Sequence, residues 1–416
     1  MSDLIPIVVE YGASVSADSF ESILAEALAP KGKLLKEPQH IVLDFTETDF
    51  IDIVSCQYIT AFELTARSRN WLVSLRPPSN KAVRDFWRHW EFPQAFKAAT
   101  ELDFASLFSG EDRKILTEAQ TTYSYRAPLR VEEPEDSDTA SSRHFFGFVS
   151  EALKEVDASN LAHFEAERWT IPEVQQILKQ HLDRGSDYLP SRVVFEAFFN
   201  AAKHPNAKLI QTASWNKHLT KRVNGKEIRD NGFFNFIFWD DGESIEDTMC
   251  NAVRSGVPVR EDYSSEFDRK FHFVYEDVEN DSNSYSSGLF SRCSLNNETP
   301  REVVFASCIF PGVTSQPDSM VQSVAQELRD YDYRLAQRGM GLYALFSAIV
   351  EVLDGEVSFR CGQYFMNIRK LGPIESKELD AQFQIKLVKQ PSHLPIFFGN
   401  MIWVRLHPKH AEDAMQ

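Results

Sequence analysis

The sequence predicts an α/β protein in two parts: an alternating α/β domain over residues 1–110 and an α+β domain over 146–370. Between them lies a linker, 111–145, and residues 371–416 add C-terminal strands expected to pack on the second domain. Three observations carry this reading. Strand-like and helix-like patterns alternate at short spacing up to about Gly110, as parallel α/β sheets require. The stretch 131–142, VEEPEDSDTASS, is acidic and Ser-rich, as solvated linkers are. Beyond it, one two-faced helical pattern, Val193–Pro205, is followed by aromatic-rich strand patterns and two glycine turns.

In the first part, Leu4–Tyr11, Ile41–Phe45 and Trp71–Leu75 read as strands, and Ser16–Leu28, Ile53–Arg67 and Ser79–Glu91 as helices. Trp87 is expected in the core. In the second part, Phe145–Val156 and Ile171–Arg184 have helical patterning, with Pro172 acceptable in a first turn. Leu209–Trp215 and Gly232–Trp239 read as strands, with hairpin character around Asn224 and Gly225. A long polar stretch, Glu246–Gln337, is expected to form an insertion or mobile lid ending in a helix over Ser319–Gln337. RGMGLYALFSAIVEVLDG reads as a glycine turn feeding a helix that Gly355 closes. Glu356–Arg360 and Gln363–Arg369 form a hairpin across Cys361 and Gly362, and Phe383–Val388 and Met401–Leu406 are further strands.

Composition narrows the class. The chain has 416 residues, 43% hydrophobic, with 32 Phe, enough for substantial cores. A net charge of −17 and a pI near 5.2 argue against a general nucleic-acid binder or an anionic membrane surface. The five cysteines contain no C-x-x-C pair, so neither zinc nor a disulfide framework is indicated. MSDLIPIVVEYG has no basic region followed by an apolar run, and no apolar run approaches membrane-spanning length. The expectation is a soluble cytoplasmic protein.

The chemistry centres on VVFEAFFNAAKHP. Val193, Ala197 and Ala201 form an apolar stripe, while Glu196, Asn200 and His204 share another side, successive members rotated by roughly 40° about the axis. A carboxylate there can polarise a water, and an amide oxygen suits a hard cation such as Mg²⁺. A nucleotide such as ATP needs a buried acceptor for the adenine amine and glycines that let backbone approach its phosphates. Asp240 and Gly242 in WDDGESI, and Gly339 and Gly341 in RGMGL, offer these. Lys203 and Arg338 offer charge to phosphates or to solvent, and His204 a contact to phosphate or a favourable charge at its helix end.

These pieces, in this order, resemble the GHKL ATPase superfamily (gyrase, heat-shock chaperone, histidine kinase, MutL). FEAFFNAAKH is similar to its E-x-x-x-N-A motif at Glu196, Asn200 and Ala201. WDDGESI is similar to its first glycine box at Asp240 and Gly242, with Ser244 in place of the second Gly. RGMGL is similar to the second box at Gly339, Gly341 and Leu342, with Tyr343 where a further Gly often stands. The resemblance implies a Bergerat sandwich over 146–370 in which Glu196 is the general base, Asn200 the Mg²⁺ ligand and Asp240 the adenine reader. Gly242 lets the base sit close, the Ser244 hydroxyl reaches a phosphate or water, and Arg338–Leu342 wrap the phosphates.

IVLDFTETDFIDIVSCQYITAF followed by WLVSLRPPSNKAVRDFWRHWEF resembles the STAS family. The family's Asp-Ser at the helix start corresponds here to Asp52 and Ile53, so the usual phospho-acceptor is absent, with Ser55 shifted nearby. The E-A-x-x-N-A-x-x-H form is most similar to the anti-sigma-factor branch of GHKL proteins. Together the resemblances imply an ATP- and Mg²⁺-dependent regulatory switch that acts through a protein partner, through the STAS-like domain or as a homodimer, without nucleic acid or membrane. A serine/threonine kinase of the anti-sigma type and a non-catalytic, nucleotide-stabilised interaction module stay open as alternatives. The segment before the second domain offers no phospho-acceptor helix of the histidine-kinase kind.

Overall fold

A computed structural model describes residues 5–30, 37–89, 92–117, 144–149, 209–216, 219–223, 226–230, 234–256, 270–279, 286–290, 295–310, 341–352 and 354–406. The protein is α/β with mixed sheets, and the chain divides into two compact units. The first contains residues 1–148, 211–215 and 391–398, and the second contains 149–210, 216–390 and 399–416.

In the first unit, strands β1 (Ile7–Glu10), β3 (His40–Asp44) and β5 (Leu72–Arg76) form a parallel sheet in that order. A two-stranded ribbon pairs β2 (Ser14–Val15) with β4 (Phe50–Ile51). Helix α1 (Ala17–Leu28) starts at Ser16, whose hydroxyl accepts from Ser19 N–H while the Ser19 hydroxyl accepts from Ser16 N–H. Helix α2 (Ile53–Ser68) starts at Asp52, whose Oδ1 accepts from both Ser55 N–H and Ser55 Oγ at 2.7 Å. Ser55 is fully buried, so it cannot serve as a shifted phospho-acceptor in this fold. Helix α2 is buried on nearly every side, which explains its almost unbroken apolar and small-residue composition.

Helices α3 (Lys81–His89), α4 (Phe92–Thr100) and α5 (Gly110–Thr117) complete the unit. Trp87 lies fully buried, with Phe104 at 5.4 Å edge-on and Phe45 at 6.0 Å edge-on. Tyr11 stacks on Phe45 at 4.7 Å and on Phe20 at 5.0 Å. Part of the Phe-rich composition thus goes into one aromatic core in the first unit.

Three segments depart from the expected organisation. His144–Val149 is a strand, β6, where a helix was expected to start at Phe145; the unbroken apolar run of HFFGFV fits either period, and its aromatic and β-branched residues favour a strand. Strand β7 (Leu209–Asn216) places Gln211 in the first unit, where Gln57 Nε2 donates to Gln211 Oε1 at 3.0 Å and Gln211 Nε2 donates to the Ala95 carbonyl. Residues 391–398 also belong to the first unit, although strands on either side of them lie in the second.

In the second unit the order is β12 (Ser286–Leu289), β11 (Phe271–Asp277), β15 (Phe383–Lys389), β14 (Tyr364–Lys370), β13 (Glu356–Cys361), β16 (Asn400–Leu406) and β10 (Phe234–Asp240). Only β11 with β15 pairs parallel among these; the other five pairings are antiparallel. A separate hairpin pairs β8 (Leu219–Val223) with β9 (Lys226–Asp230), bracketing Asn224 and Gly225 as expected. The insertion 246–337 is not simply a lid. It begins inside helix α6 (Ile245–Arg254), sends β11 and β12 into the main sheet and adds the short helix α7 (Arg301–Ala306).

Helix α8 (Gly341–Phe346) starts at the second Gly of RGMGL and continues as a π-helical turn over Ser347–Val352. Asp354, at φ 52°, is the left-handed residue that ends it, and Gly355 N–H closes back on the Ile349 carbonyl. Gly355 closes the helix as expected, but the strained torsion falls one residue earlier. Helix α9 (Pro373–Leu379) joins β14 to β15. The expected helices over 171–184, 193–205 and 319–337 lie outside the described residues.

Candidate functional site

Strand pairing sets one row of side chains across the second sheet. Asp240 faces Asn400, Asn400 faces Cys361, Cys361 faces Tyr364, Tyr364 faces Lys389, and Lys389 faces Asp277. Directly paired residues share a face, and so do residues two apart along a strand. Phe305 of α7 meets Tyr364 at 6.0 Å, and Phe346 of α8 meets Phe271 and Phe383 at 5.3 Å each. Helices α7 and α8 therefore pack on the face that bears Asp240.

At the end of β10 the chain turns through Asp240, Asp241 and Gly242 into α6. Gly242 N–H donates to Asp240 Oδ1 at 2.9 Å, a side-chain turn of the kind Asp favours. Asp240 is 2% exposed. Burial pushes its carboxyl up to about 7, against the opposing donors Asn400 and Gly242. Asn400 is fully buried and ties the turn together. Its Nδ2 donates to Asp240 Oδ1 and to the Glu243 carbonyl, each at 2.9 Å, and its Oδ1 accepts from Ile245 N–H at 2.8 Å. Gly399 precedes it at φ 82°, where a Cβ would stand 1.8 Å from the Asp240 carbonyl oxygen. Only glycine permits that approach.

Ser244 caps α6, its hydroxyl accepting from Asp247 N–H at 3.4 Å. The oxygen that the sequence offers to a phosphate or water is thus engaged at the helix start. Two residues on, Glu246 is buried beneath Arg301 of the insertion. Arg301 Nε donates to Glu246 Oε1 at 2.6 Å, and its Nη2 reaches Asp247 Oδ1 at 2.6 Å. Burial raises the Glu246 carboxyl, and the Arg301 guanidinium offsets that. The same carboxylate accepts from Gln363 N–H, and a Cβ on Gly362 would stand 2.3 Å from its Oε2.

Cys250, Cys308 and Cys361 are buried, and burial raises all three thiols, that of Cys250 to about 11. They are packing residues rather than thiolate nucleophiles. Among the described residues no cluster of His, Cys, Asp and Glu could hold a metal ion.

Of the expected site residues, Asp240, Gly242 and Ser244 form one turn, and Gly341 and Leu342 open α8. Glu196, Asn200, Arg338 and Gly339 lie outside the described residues, as do Lys203 and His204. Asn400, Glu246 and Arg301 were not expected. The Gly-Asn pair in FFGNMIWVRL was the available signal for Asn400, whereas no local pattern singles out Glu246 or Arg301.

No family model, curated protein or solved structure matches the chain. Among the described residues no helix is long and apolar enough to cross a membrane.

Proposed function

We propose that the second unit is an adenine-nucleotide-binding domain of the GHKL type, and that the chain is an ATP-dependent regulatory switch. The observation that carries this is the Asp240 carboxylate: buried at a strand end, fixed through Oδ1 by Gly242 and Asn400, and followed at once by a helix start. A buried, oriented carboxylate is the acceptor an exocyclic amine needs, and it would otherwise be a costly group to leave in a core. The glycine-led helix α8 on the same sheet face supports the reading, because it lies where the second glycine box is expected. In this reading Glu196 polarises the attacking water, Asn200 holds Mg²⁺, and residues 338–342 lie along the phosphates.

The first unit has the strand–helix alternation of a STAS-like domain, with Asp52 rather than a phospho-acceptor at the start of α2. It would report nucleotide state to a protein partner. Titration calorimetry with ATP and Mg²⁺ tests the site. Wild type is expected to bind, Asp240→Asn to lose binding, and Glu196→Ala to bind without turnover. Undiminished binding by Asp240→Asn would overturn the adenine assignment, and wild-type turnover by Glu196→Ala the general-base assignment. Label from γ-phosphate-labelled ATP appearing on another protein would instead favour the kinase alternative.

A further inference from the structure

We infer that Asp240 reads the six-position of a purine base through its own protonation state: ionised, its Oδ2 accepts from an amino group, and protonated, the same atom donates to an oxo group. The inference rests on the adenine reading of Asp240 and names the bases that site admits. Asp240, its two donors and the groups that fix them all lie in the second unit.

One oxygen of this carboxyl is open to a ligand. Oδ1 takes two donors, Gly242 N–H and Asn400 Nδ2, each at 2.9 Å, and no hydrogen bond from the described residues reaches Oδ2. Neither donor can turn into an acceptor. Gly242 offers a backbone N–H. Asn400 is held in one amide orientation, because its Oδ1 accepts from Ile245 N–H while its Nδ2 also donates to the Glu243 carbonyl. Flipped, the amide would set its oxygen against two oxygens and its amino group against an N–H.

That seat decides where a proton goes. A proton on Oδ1 would meet two fixed donors, so the neutral acid carries it on Oδ2, the atom left for the base. Burial raises the carboxyl to about 7, and Asp241 on the same turn adds to the shift. On the neighbouring elements the ionisable groups are Glu246 of α6, paired with Arg301 of α7, and Cys361 of β13, whose thiol burial keeps protonated. Both forms of Asp240 are therefore populated near neutral pH, and they present opposite hydrogen-bonding character at one atom. In a buried site a mismatched pair leaves both groups unsatisfied, which makes this kind of discrimination strong.

The same geometry fixes what Asp240→Asn does. Its carboxamide oxygen takes the Oδ1 seat opposite the two donors, so its amino group stands where Oδ2 stood and donates at every pH. The variant copies the protonated form permanently.

Calorimetry on the full chain with ADP and with IDP (whose hypoxanthine carries an oxo group in place of the amine), each with Mg²⁺ at pH 6 and pH 8, tests this. The two ligands share ribose, phosphates and metal, so titration of those groups cancels in the ratio of affinities. From pH 6 to pH 8 the wild type should gain affinity for ADP and lose affinity for IDP, each by about tenfold, as the competent form of Asp240 grows or shrinks. Asp240→Asn should prefer IDP, with a ratio that no longer depends on pH. A wild type that binds ADP with a pH-independent ratio would overturn the inference and leave the nucleotide site standing. So would an Asp240→Asn variant that is folded by circular dichroism and still prefers ADP. Binding of neither nucleotide by the wild type would remove the adenine reading and the inference together.

Discussion

Asn400 Nδ2 donates to Asp240 Oδ1 at 2.9 Å, although 160 positions separate the two residues. Their strands pair antiparallel, and these two residues sit opposite each other in the register. One amide thus holds the carboxylate and, through Glu243 and Ile245, the turn that leads away from it.

Asn400→Ala removes three hydrogen bonds from the turn and takes the acceptor from the buried Ile245 N–H. An unsatisfied buried group costs about 1–3 kcal/mol, so urea denaturation should show a loss of at least that size. Under the proposed adenine reading, nucleotide affinity should also fall by about tenfold or more, since a misplaced acceptor forfeits a charge-assisted hydrogen bond worth about 1.5–3 kcal/mol.

Gly399→Ala should be among the most damaging single changes in the second unit. The added Cβ meets the Asp240 carbonyl at 1.8 Å, and the backbone stands at φ 82°. A left-handed torsion alone costs an L-residue about 1–2 kcal/mol, and the clash adds to it. A lowered thermal midpoint with weakened nucleotide binding is the expected result.

Asp240 gives a pH dependence with a definite sign. Its carboxyl is raised from 3.8 to about 7 by burial, so the folded chain keeps a proton that the unfolded chain has released. Between those values folding stability falls as pH rises, and Asp240→Asn should flatten that part of the profile. Under the proposed adenine reading, nucleotide affinity should run the other way, because the ionised carboxylate is the better acceptor for an amine. Calorimetry at pH 6 and pH 8 should show tighter binding at pH 8.

Glu63 in the first unit behaves similarly without a site to serve. It is 6% exposed, burial raises its carboxyl to about 7, and its Oε2 lacks a hydrogen-bond partner. Arg67, one turn on and partly exposed, offsets this only in part. The linkage again makes stability fall as pH rises from 4.5 through about 7. Glu63→Met should therefore raise the free energy of unfolding in urea at pH 8, by about 1–3 kcal/mol, and by less at pH 5.

Local patterns in the sequence were enough for most elements. Alternating apolar residues marked β1, β3, β5, β10 and β13–β16, and Ser16 announced the start of α1, because caps and side-chain periods act over a few residues. Where the local signal was mixed, the reading failed. KFHFVYED has strand alternation but sits in a polar stretch, so β11 was folded into a supposed lid. HFFGFV read as part of a helix because its apolar run fits either period.

The sequence by itself determined most of the strands and helices, the aromatic supply of the cores, and the acidic turn at Asp240 and Gly242. Only the tertiary structure decided that Asn400 would be the residue opposite Asp240, that Arg301 would cover Glu246, and that 391–398 would lie against α1 and α2. The reason is range. Periodicity tells which face a side chain takes, but register between strands far apart in the chain is set by pairing and burial summed over the whole sheet.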